Sequence, residues 1–319
     1  MKTGLKQAMS ARYFIGVRNF GDRITPFLIE KISHKMPYYE RLDQPHLLGC
    51  GSILSSATKN SIIWGSGFIS KNSRRPDITC GRVRAVRGRL SLERLKKQYG
   101  WMEDVPLGDP GSLLPRVYPR RANAQYRFGV IPHYVDKAHP FLDFCKANGA
   151  LIIDPQRDVT DVLDDIFQCD KIFSSSLHGL ILSDAYGIKN RWIELSEKVI
   201  GNRFKFHDYY SSRLTSQINP EIIESNFEVS EILEACVATK EKFDLDALYN
   251  AFPSDEACSR ELARIYDAST FKKQSQLPVP VFLTVKKSAH KPSKLKKLVL
   301  SLSQLDTPTT LVIHNCMRD

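Results

Sequence analysis

A histidine follows a run of three serines in Ser174-Ser175-Ser176-Leu177-His178-Gly179. The apolar residues 171–173 precede it and an apolar stretch follows, so the pattern predicts a strand ending at the serines and a helix over 178–187. Helix N-termini present unpaired N–H groups and partial positive charge, which favour a phosphate or a carboxylate. Ser175 or Ser176 can cap such a helix. A histidine in its first turn projects toward whatever that end binds. Its proton moves near neutral pH, so it serves as acid or base. An ordinary serine-capped helix with an exposed histidine has the same letters, and residue types alone do not separate the two.

Other residues with chemical capacity fall where strands are expected to end. Asn19-Phe20-Gly21-Asp22 follows an apolar run at 13–17; Gly21 permits close backbone approach, and Asn19 or Asp22 can hold a sugar hydroxyl. A loop with Asx-type turns accounts for the same residues. Gly49-Cys50-Gly51-Ser52 and Gly65-Ser66-Gly67 also follow short apolar runs, and neither is a Walker loop or a dinucleotide fingerprint. Arg87, between a strand and a helix, can grip a carboxylate or phosphate with two prongs, or simply belong to a basic surface. His133 follows the strand at 128–131, and Lys198, Lys205 and His207 follow the strand at 190–195. The lysines are candidate anion ligands, although solvated lysines are the commoner outcome. The sequence has no nucleophile elbow, no metal-spaced histidine pair and no paired carboxylates, so neither a metal nor a cofactor is expected.

These candidates need elements to position them. Short apolar runs alternate with amphipathic stretches, which indicates an α/β fold with parallel strands. Strands are expected at 13–17, 46–48, 61–64, 82–86, 128–131, 150–153, 171–173 and 190–195. Helices are expected from Thr25-Pro26 (Thr as N-cap), over 90–99, 138–148, 158–168 and 178–187, and within 221–252. Residues 106–125, rich in proline and glycine, read as a crossing between domains. The economical architecture is two Rossmann-like domains, 11–115 and 125–252, facing a cleft. Open sheets of this kind bind ligands at the carboxyl ends of their strands. Residues 271–319 form a basic βαβ unit too small to bury its own faces. It resembles the opening of a GT-A glycosyltransferase domain, or else docks on the second domain as an extra unit.

Composition limits the function classes. Of 319 residues, 42% are apolar, enough for packed cores, and no window is apolar enough to span a bilayer. The first residues lack the apolar run of a secretory signal. Seven scattered cysteines, none in a Cys-x-x-Cys pair, argue against a disulfide framework or a structural zinc and suit a reducing compartment. The net charge is +11, and much of the surplus lies in 271–319, with nine Lys/Arg against two Asp. A basic zone at 71–127 adds to it. Such a balance attracts phosphorylated substrates, diphosphate-lipid carriers or an acidic membrane surface, or is a solvated face. Aromatics do not alternate with the basic residues as a nucleic-acid stacking platform requires.

Together the candidates match a family pattern. Asn19-x-Gly21-Asp22, Gly51-Ser52-Ile53-Leu54, Ile63-Trp64-Gly65-Ser66-Gly67, Val86-Arg87-Gly88 and Leu107-Gly108-Asp109-Pro110-Gly111 resemble polysaccharide pyruvyl transferases. So do Ile131-Pro132-His133-Tyr134-Val135-Asp136 and the serine–histidine segment, the most specific of the set. The likeness spans about residues 12–252 and is nearest the bacterial exopolysaccharide enzymes. It implies a GT-B-like fold, phosphoenolpyruvate as donor and a pair of sugar hydroxyls on a polysaccharide or lipid-linked oligosaccharide as acceptor. On that resemblance His178 is the general acid. Ser175, Ser176, Leu177, Gly179 and Arg87, with Lys198 or Lys205, hold the donor. Asn19, Gly21, Asp22 and His133 serve the acceptor. The lack of a secretory signal, the unpaired cysteines and the basic surface lead to the expectation of a cytoplasmic enzyme in peripheral contact with the inner face of the membrane. The rival readings are a GT-B-like nucleotide-sugar glycosyltransferase and a non-catalytic module for anionic glycans.

Overall fold

A computed structural model describes residues 6–100, 103–120, 124–215, 218–223, 228–254, 259–262, 281–285 and 311–315. Residues 10–258 form one compact unit and residues 1–9 with 259–319 another.

In the larger unit, two parallel sheets carry the chemistry. The first is formed by β1 (Lys6–Arg12, from Ser10 on), β2 (Met36–Tyr39), β3 (His46–Leu48), β4 (Ser61–Trp64) and β5 (Val83–Ala85), in the order β1-β3-β4-β5 with β2 against β1. The second contains β6 (Gly129–Ile131), β7 (Leu151–Ile152), β8 (Lys171–Ser174) and β9 (Lys189–Glu194). Two short ribbons follow, β10 (Arg213–Leu214) and β12 (Lys240–Glu241) pairing antiparallel, while β11 (Glu221–Ile222) joins the second sheet to give the order β11-β9-β8-β6-β7. The helices are α1 (Phe20–Ser33), α2 (Arg89–Tyr99), α3 (Leu114–Val117), α4 (Pro140–Ala147), α5 (Val159–Phe167), α6 (Leu177–Ala185), α7 (Phe204–Tyr210), α8 (Val229–Glu234) and α9 (Leu245–Asn250). Alternating parallel strands and helices are the expected α/β layering. The stretch 221–252, expected to hold the C-terminal helices, contains α8 and α9 and also β11 and β12.

The central strands β3, β4 and β6 are buried on both faces, as parallel strands covered by helices must be. Phe128, Val130, Phe173 and Ile193 pack with Phe141 and Cys145 of α4 in one core, and Leu48, Ile63 and Val83 pack with Leu92 and Leu95 of α2 in another.

Two expectations give way here. The strand expected at 13–17 lies at Lys6–Arg12, and Phe14 and Ile15 are 44% and 56% exposed in the loop that follows. The small residues Ala8, Ser10 and Ala11 fit between layers where bulkier ones do not, and Ser10 donates its hydroxyl to Glu40 (3.1 Å). Thr25 is not a helix cap: α1 starts five residues earlier with Asn19 as N-cap, leaving Pro26 inside the helix. Thr25 is buried instead, its Oγ1 accepting the Cys50 N–H (2.8 Å). Within the expected crossing at 106–125, Asp109 to Leu114 are buried and the 3-10 turn Pro110–Leu113 packs on α6.

In the smaller unit, Lys6–Met9 pair antiparallel with β13 (Ser259–Leu262), and β14 (Val281–Val285) pairs parallel with β15 (Leu311–Asn315). Both strands expected for the basic tail are therefore present, and the helix expected at 293–304 lies outside the described residues. No helix among the described residues is long and apolar enough to cross a membrane.

Candidate active site

The helix that carries His178 is unusual in being buried all round. All eight residues from Leu177 to Asp184 are buried, so α6 is a core element and not an amphipathic surface helix. Leu177, Leu180 and Ile181 pack against Trp192, Phe206, Tyr209 and Tyr210. Near its C-terminus the Asp184 carboxylate accepts from Asn190 Nδ2 (2.7 Å), the Tyr209 hydroxyl (2.7 Å) and the Thr239 N–H (3.2 Å). These bonds fix a buried charge that would otherwise be costly at that end.

Its N-terminal turn is built by the serines, each with a different task. Ser174 Oγ lies within hydrogen-bond reach of the Ile131 (3.0 Å) and Ser176 (2.9 Å) carbonyls and accepts the Ser176 N–H (3.0 Å). Gly179 is glycine for this reason: a Cβ there would lie 2.3 Å from Ser174 Oγ. Ser175 Oγ accepts the His133 N–H (2.8 Å), tying the loop after β6 to the loop after β8. Ser176 occupies the N-cap position but makes no side-chain cap bond. Its hydroxyl therefore remains available beside the N–H groups of Leu177, His178 and Gly179, which have no acceptor inside their own helix.

The His178 imidazole is 7% exposed and lies where α1 begins. A Cβ on Gly21 would sit 2.0 Å from Nδ1, so only glycine lets the ring occupy this position. Phe20 meets the ring edge to face with centroids 6.4 Å apart. Asn19 Oδ1 accepts the Gly21 N–H (3.3 Å), and the Phe20 N–H donates to the Pro155 carbonyl (2.8 Å), which pins the helix start to the loop after β7. On the other side, Nε2 lies 3.6 Å from Oδ2 of the fully buried Asp109.

Charge is concentrated around this ring. Burial pushes the Asp22 carboxyl up to about 6, against the pull of His178, Lys205 and Arg23. Lys205, on α7, is 8% exposed. Burial and the Arg87 guanidinium bring its ammonium down to about 8, and Asp22 pulls it back up. Burial, then Lys205, takes His133 down to about 4, so its ring is neutral at neutral pH. Asp109 is held below the usual carboxylate range: burial pushes it up, and His178, the Gly111 N–H and Arg87 outweigh that.

The two lysines part company. Lys198 is exposed, its backbone N–H donating to Ser196 Oγ (3.2 Å), whereas the Lys205 ammonium makes no hydrogen bond or ion pair among the described residues. Arg87, expected at the rim, is fully buried. Its guanidinium donates to Asp208 Oδ2 (3.0 Å), Ser52 Oγ (2.7 Å) and the Phe68 carbonyl (2.7 Å). Asp208 also accepts the N–H and hydroxyl of Ser91 (2.7 and 2.8 Å). Arg87 thus locks α7 to the first sheet and acts on the site only through its charge. The glycine turns serve this packing: a Cβ on Gly67 would lie 2.5 Å from the Arg87 guanidinium, and one on Gly65 2.2 Å from Pro110.

Asn19, Gly21, Asp22, His133, Ser175, Ser176 and Lys205 therefore gather with His178 after β1, β6, β8 and β9, while the Arg87 guanidinium is engaged by Asp208, Ser52 and Phe68 and Lys198 is exposed. The sequence reading missed Asp109 and Asp208. The signal for Asp109 was an aspartate just before Pro-Gly, the sign of a capped turn; Asp208 gave none. A buried carboxylate beside an anion-attracting helix end, an imidazole and an unpaired ammonium can bind an anion and move protons on a neighbouring hydroxyl.

Residues 31–197 match the polysaccharide pyruvyl transferase family model. The chain belongs to that family. Asn19, Gly21, Asp22 and Lys205 lie outside the matched span and enter the site through tertiary contact alone. Among relatives in the curated proteins, the uncharacterized protein L143 of Acanthamoeba polyphaga mimivirus is 33% identical over 209 residues, 62% of this chain and 72% of that protein. The succinoglycan biosynthesis protein ExoV of Rhizobium meliloti (strain 1021) is 28% identical over 203 residues, 60% of each chain. No solved structure matches this chain.

Proposed function

We propose that the protein transfers pyruvate from phosphoenolpyruvate to two hydroxyls of one sugar, in a polysaccharide or lipid-linked oligosaccharide, as a cyclic ketal. Membership of the pyruvyl transferase family supports the reaction class, and the likeness to a succinoglycan biosynthesis protein supports an exopolysaccharide acceptor. The observation that carries the donor is Lys205: a nearly buried ammonium with no hydrogen bond or ion pair among the described residues, 5.4 Å from the Phe206 ring centroid, whose charge acts on Asp22 and His133, on the helix whose Phe206 packs with Leu177 at the start of α6. A group bearing both phosphate and carboxylate answers such a site.

The chain's own residues divide the work. Lys205, Ser176 Oγ and the first N–H groups of α6 hold the anionic donor. His178 gives a proton to the methylene carbon, making C2 electrophilic. One sugar hydroxyl bonds to C2, the C2–O bond to phosphate breaks, and the second hydroxyl closes the ring. Of the two hydroxyl protons, one replaces the proton spent on the methyl group and the other leaves with phosphate. Asp22 takes a hydroxyl proton, and neutral His133 and Asn19 orient the acceptor. The scheme calls on no metal or cofactor. Donor and acceptor groups come from loops after strands of both sheets, which supports a GT-B-like arrangement of 11–115 and 125–252. The basic balance of the chain supports a cytoplasmic enzyme working at an acidic membrane face.

Incubation with phosphoenolpyruvate and an oligosaccharide acceptor, followed by mass spectrometry, tests the reading. A gain of one carboxyethylidene group with release of phosphate is expected. A hexose gain from a nucleotide sugar would overturn it, as would salt-sensitive glycan binding without turnover.

A further inference from the structure

We propose that Asp109 is a positioning residue for the proton that His178 delivers, its Oδ2 taking the Nε2–H of the ring so that Nδ1 is the nitrogen that acts. The inference rests on the pyruvyl-transfer reading above. It starts from two orphaned atoms: Asp109 Oδ2 and His178 Nε2 are both buried, neither has a hydrogen-bond partner among the described residues, and they lie 3.6 Å apart. A small rotation of either side chain closes that distance to a hydrogen bond.

The rest of Asp109 is held fast. Its Oδ1 accepts the Gly111 N–H (2.9 Å) and its carbonyl accepts the Ser112 N–H (2.9 Å), which start the turn Pro110–Leu113 against α6. Capping therefore uses Oδ1 and leaves Oδ2 for the imidazole. Replacing the partner of either orphan would strand the other in the interior, at a cost that makes the pair a built feature. On the opposite edge of the ring, Nδ1 packs on Gly21, occupying the space a Cβ there would take, and the ring's charge acts on the Asp22 carboxyl.

Charged and titratable groups act on this pair from neighbouring elements. Asp22 of α1 interacts with His178 and Arg87 after β5 with Asp109, while Arg23 of α1 and Lys205 of α7 act on Asp22. Cys50, after β3, is pushed far up by burial and by Asp109, so its thiol stays neutral. The carboxylate is thus the anion placed to hold the Nε2 proton.

In the reaction the Nδ1–H bond breaks and a C–H bond forms at the methylene carbon. The ring is left neutral with its proton on Nε2, shared with Asp109. The first hydroxyl to bond to C2 gives its proton to Asp22, which passes it on to restore Nδ1, and the proton of the second hydroxyl, the one that closes the ring, leaves with phosphate.

Asp109→Asn separates this role from a structural one. The amide keeps an oxygen for the Gly111 N–H and presents NH2 to Nε2, which forces the neutral ring to carry its proton on Nδ1 and opposes the imidazolium. With phosphoenolpyruvate and an oligosaccharide acceptor, kcat is expected to fall by about 100- to 10,000-fold, the span of general acid catalysis. The donor KM is expected to stay within about threefold, since binding groups are untouched. Asp109→Glu should recover part of the rate, and the pH profile of kcat should change in Asp109→Asn where a merely structural change would leave its shape alone. Nitrogen-15 NMR of His178 reads the tautomer without turnover: Nε2–H in the wild-type neutral ring, Nδ1–H in Asp109→Asn. A wild-type Nδ1–H tautomer, or Asp109→Asn with near-normal kcat, overturns the proposal. Absence of any pyruvyl transfer by the wild type overturns the functional reading instead, and the tautomer still decides the Asp109–His178 pairing.

Discussion

A glycine sets the geometry of the acid. With the Gly21 Cβ position 2.0 Å from His178 Nδ1, Gly21→Ala must push the ring away from its station. A displacement of that order is expected to lower kcat by about 100-fold, while circular dichroism and melting stay close to wild type because the residue lies in the first turn of α1. Titration gives a second residue-scale prediction. As the acceptor's base, Asp22 must be ionised, so kcat/KM falls as pH drops through about 6. The Lys205 ammonium must be charged to hold the donor, so kcat/KM falls again as pH rises through about 8. His178 and Arg23 face Asp22, and Arg87 faces Lys205, whereas His133, already neutral above about 4, adds no limb. Lys205→Arg should carry the alkaline limb to higher pH, measured as a kcat/KM profile for phosphoenolpyruvate; an unmoved limb would remove Lys205 from the donor site.

Elements meet at the site through one buried ion pair. Arg87 and Asp208, both fully buried, bond the end of β5 to α7, and Asp208 holds the start of α2 through Ser91. Removing one partner leaves the other charge unpaired in the interior, so Asp208→Asn or Arg87→Met is expected to cost about 3–5 kcal/mol in denaturant unfolding. The double variant Arg87→Met/Asp208→Leu should lose less than the sum of the two, because it buries no orphan. Lys205 lies on the same helix three residues from Asp208, so the single variants should also raise the KM for the donor. The sequence showed that an arginine closes β5 but not where its guanidinium points, since the partner that claims it is 121 residues away.

For the whole molecule, charge precedes contact. The chain carries +11, and its proposed donor is an anion. Because the Debye length falls from about 30 Å at 0.01 M salt to about 3 Å at 1 M, kcat/KM for phosphoenolpyruvate should decline steadily with ionic strength while kcat changes little. A salt-independent kcat/KM would confine the electrostatics to the site itself. The α/β layering, the strands at 46–48, 61–64 and 171–173, and the serine–histidine segment at a helix start were all readable from local pattern, because period and capping depend on neighbours in the chain. The first strand was misplaced by several residues because the run at 13–17 is the more apolar, while the fold selects the small side chains of 8–11 to fit between layers. The Pro/Gly stretch at 106–125 looked like a linker because its letters favour turns; only packing against α6 made it the wall that presents Asp109. What the residues by themselves determined was which groups can bind an anion or move a proton. Which of them are buried, unpaired and facing one another was decided by the tertiary structure, because desolvation and partnership depend on contacts between residues far apart in the chain.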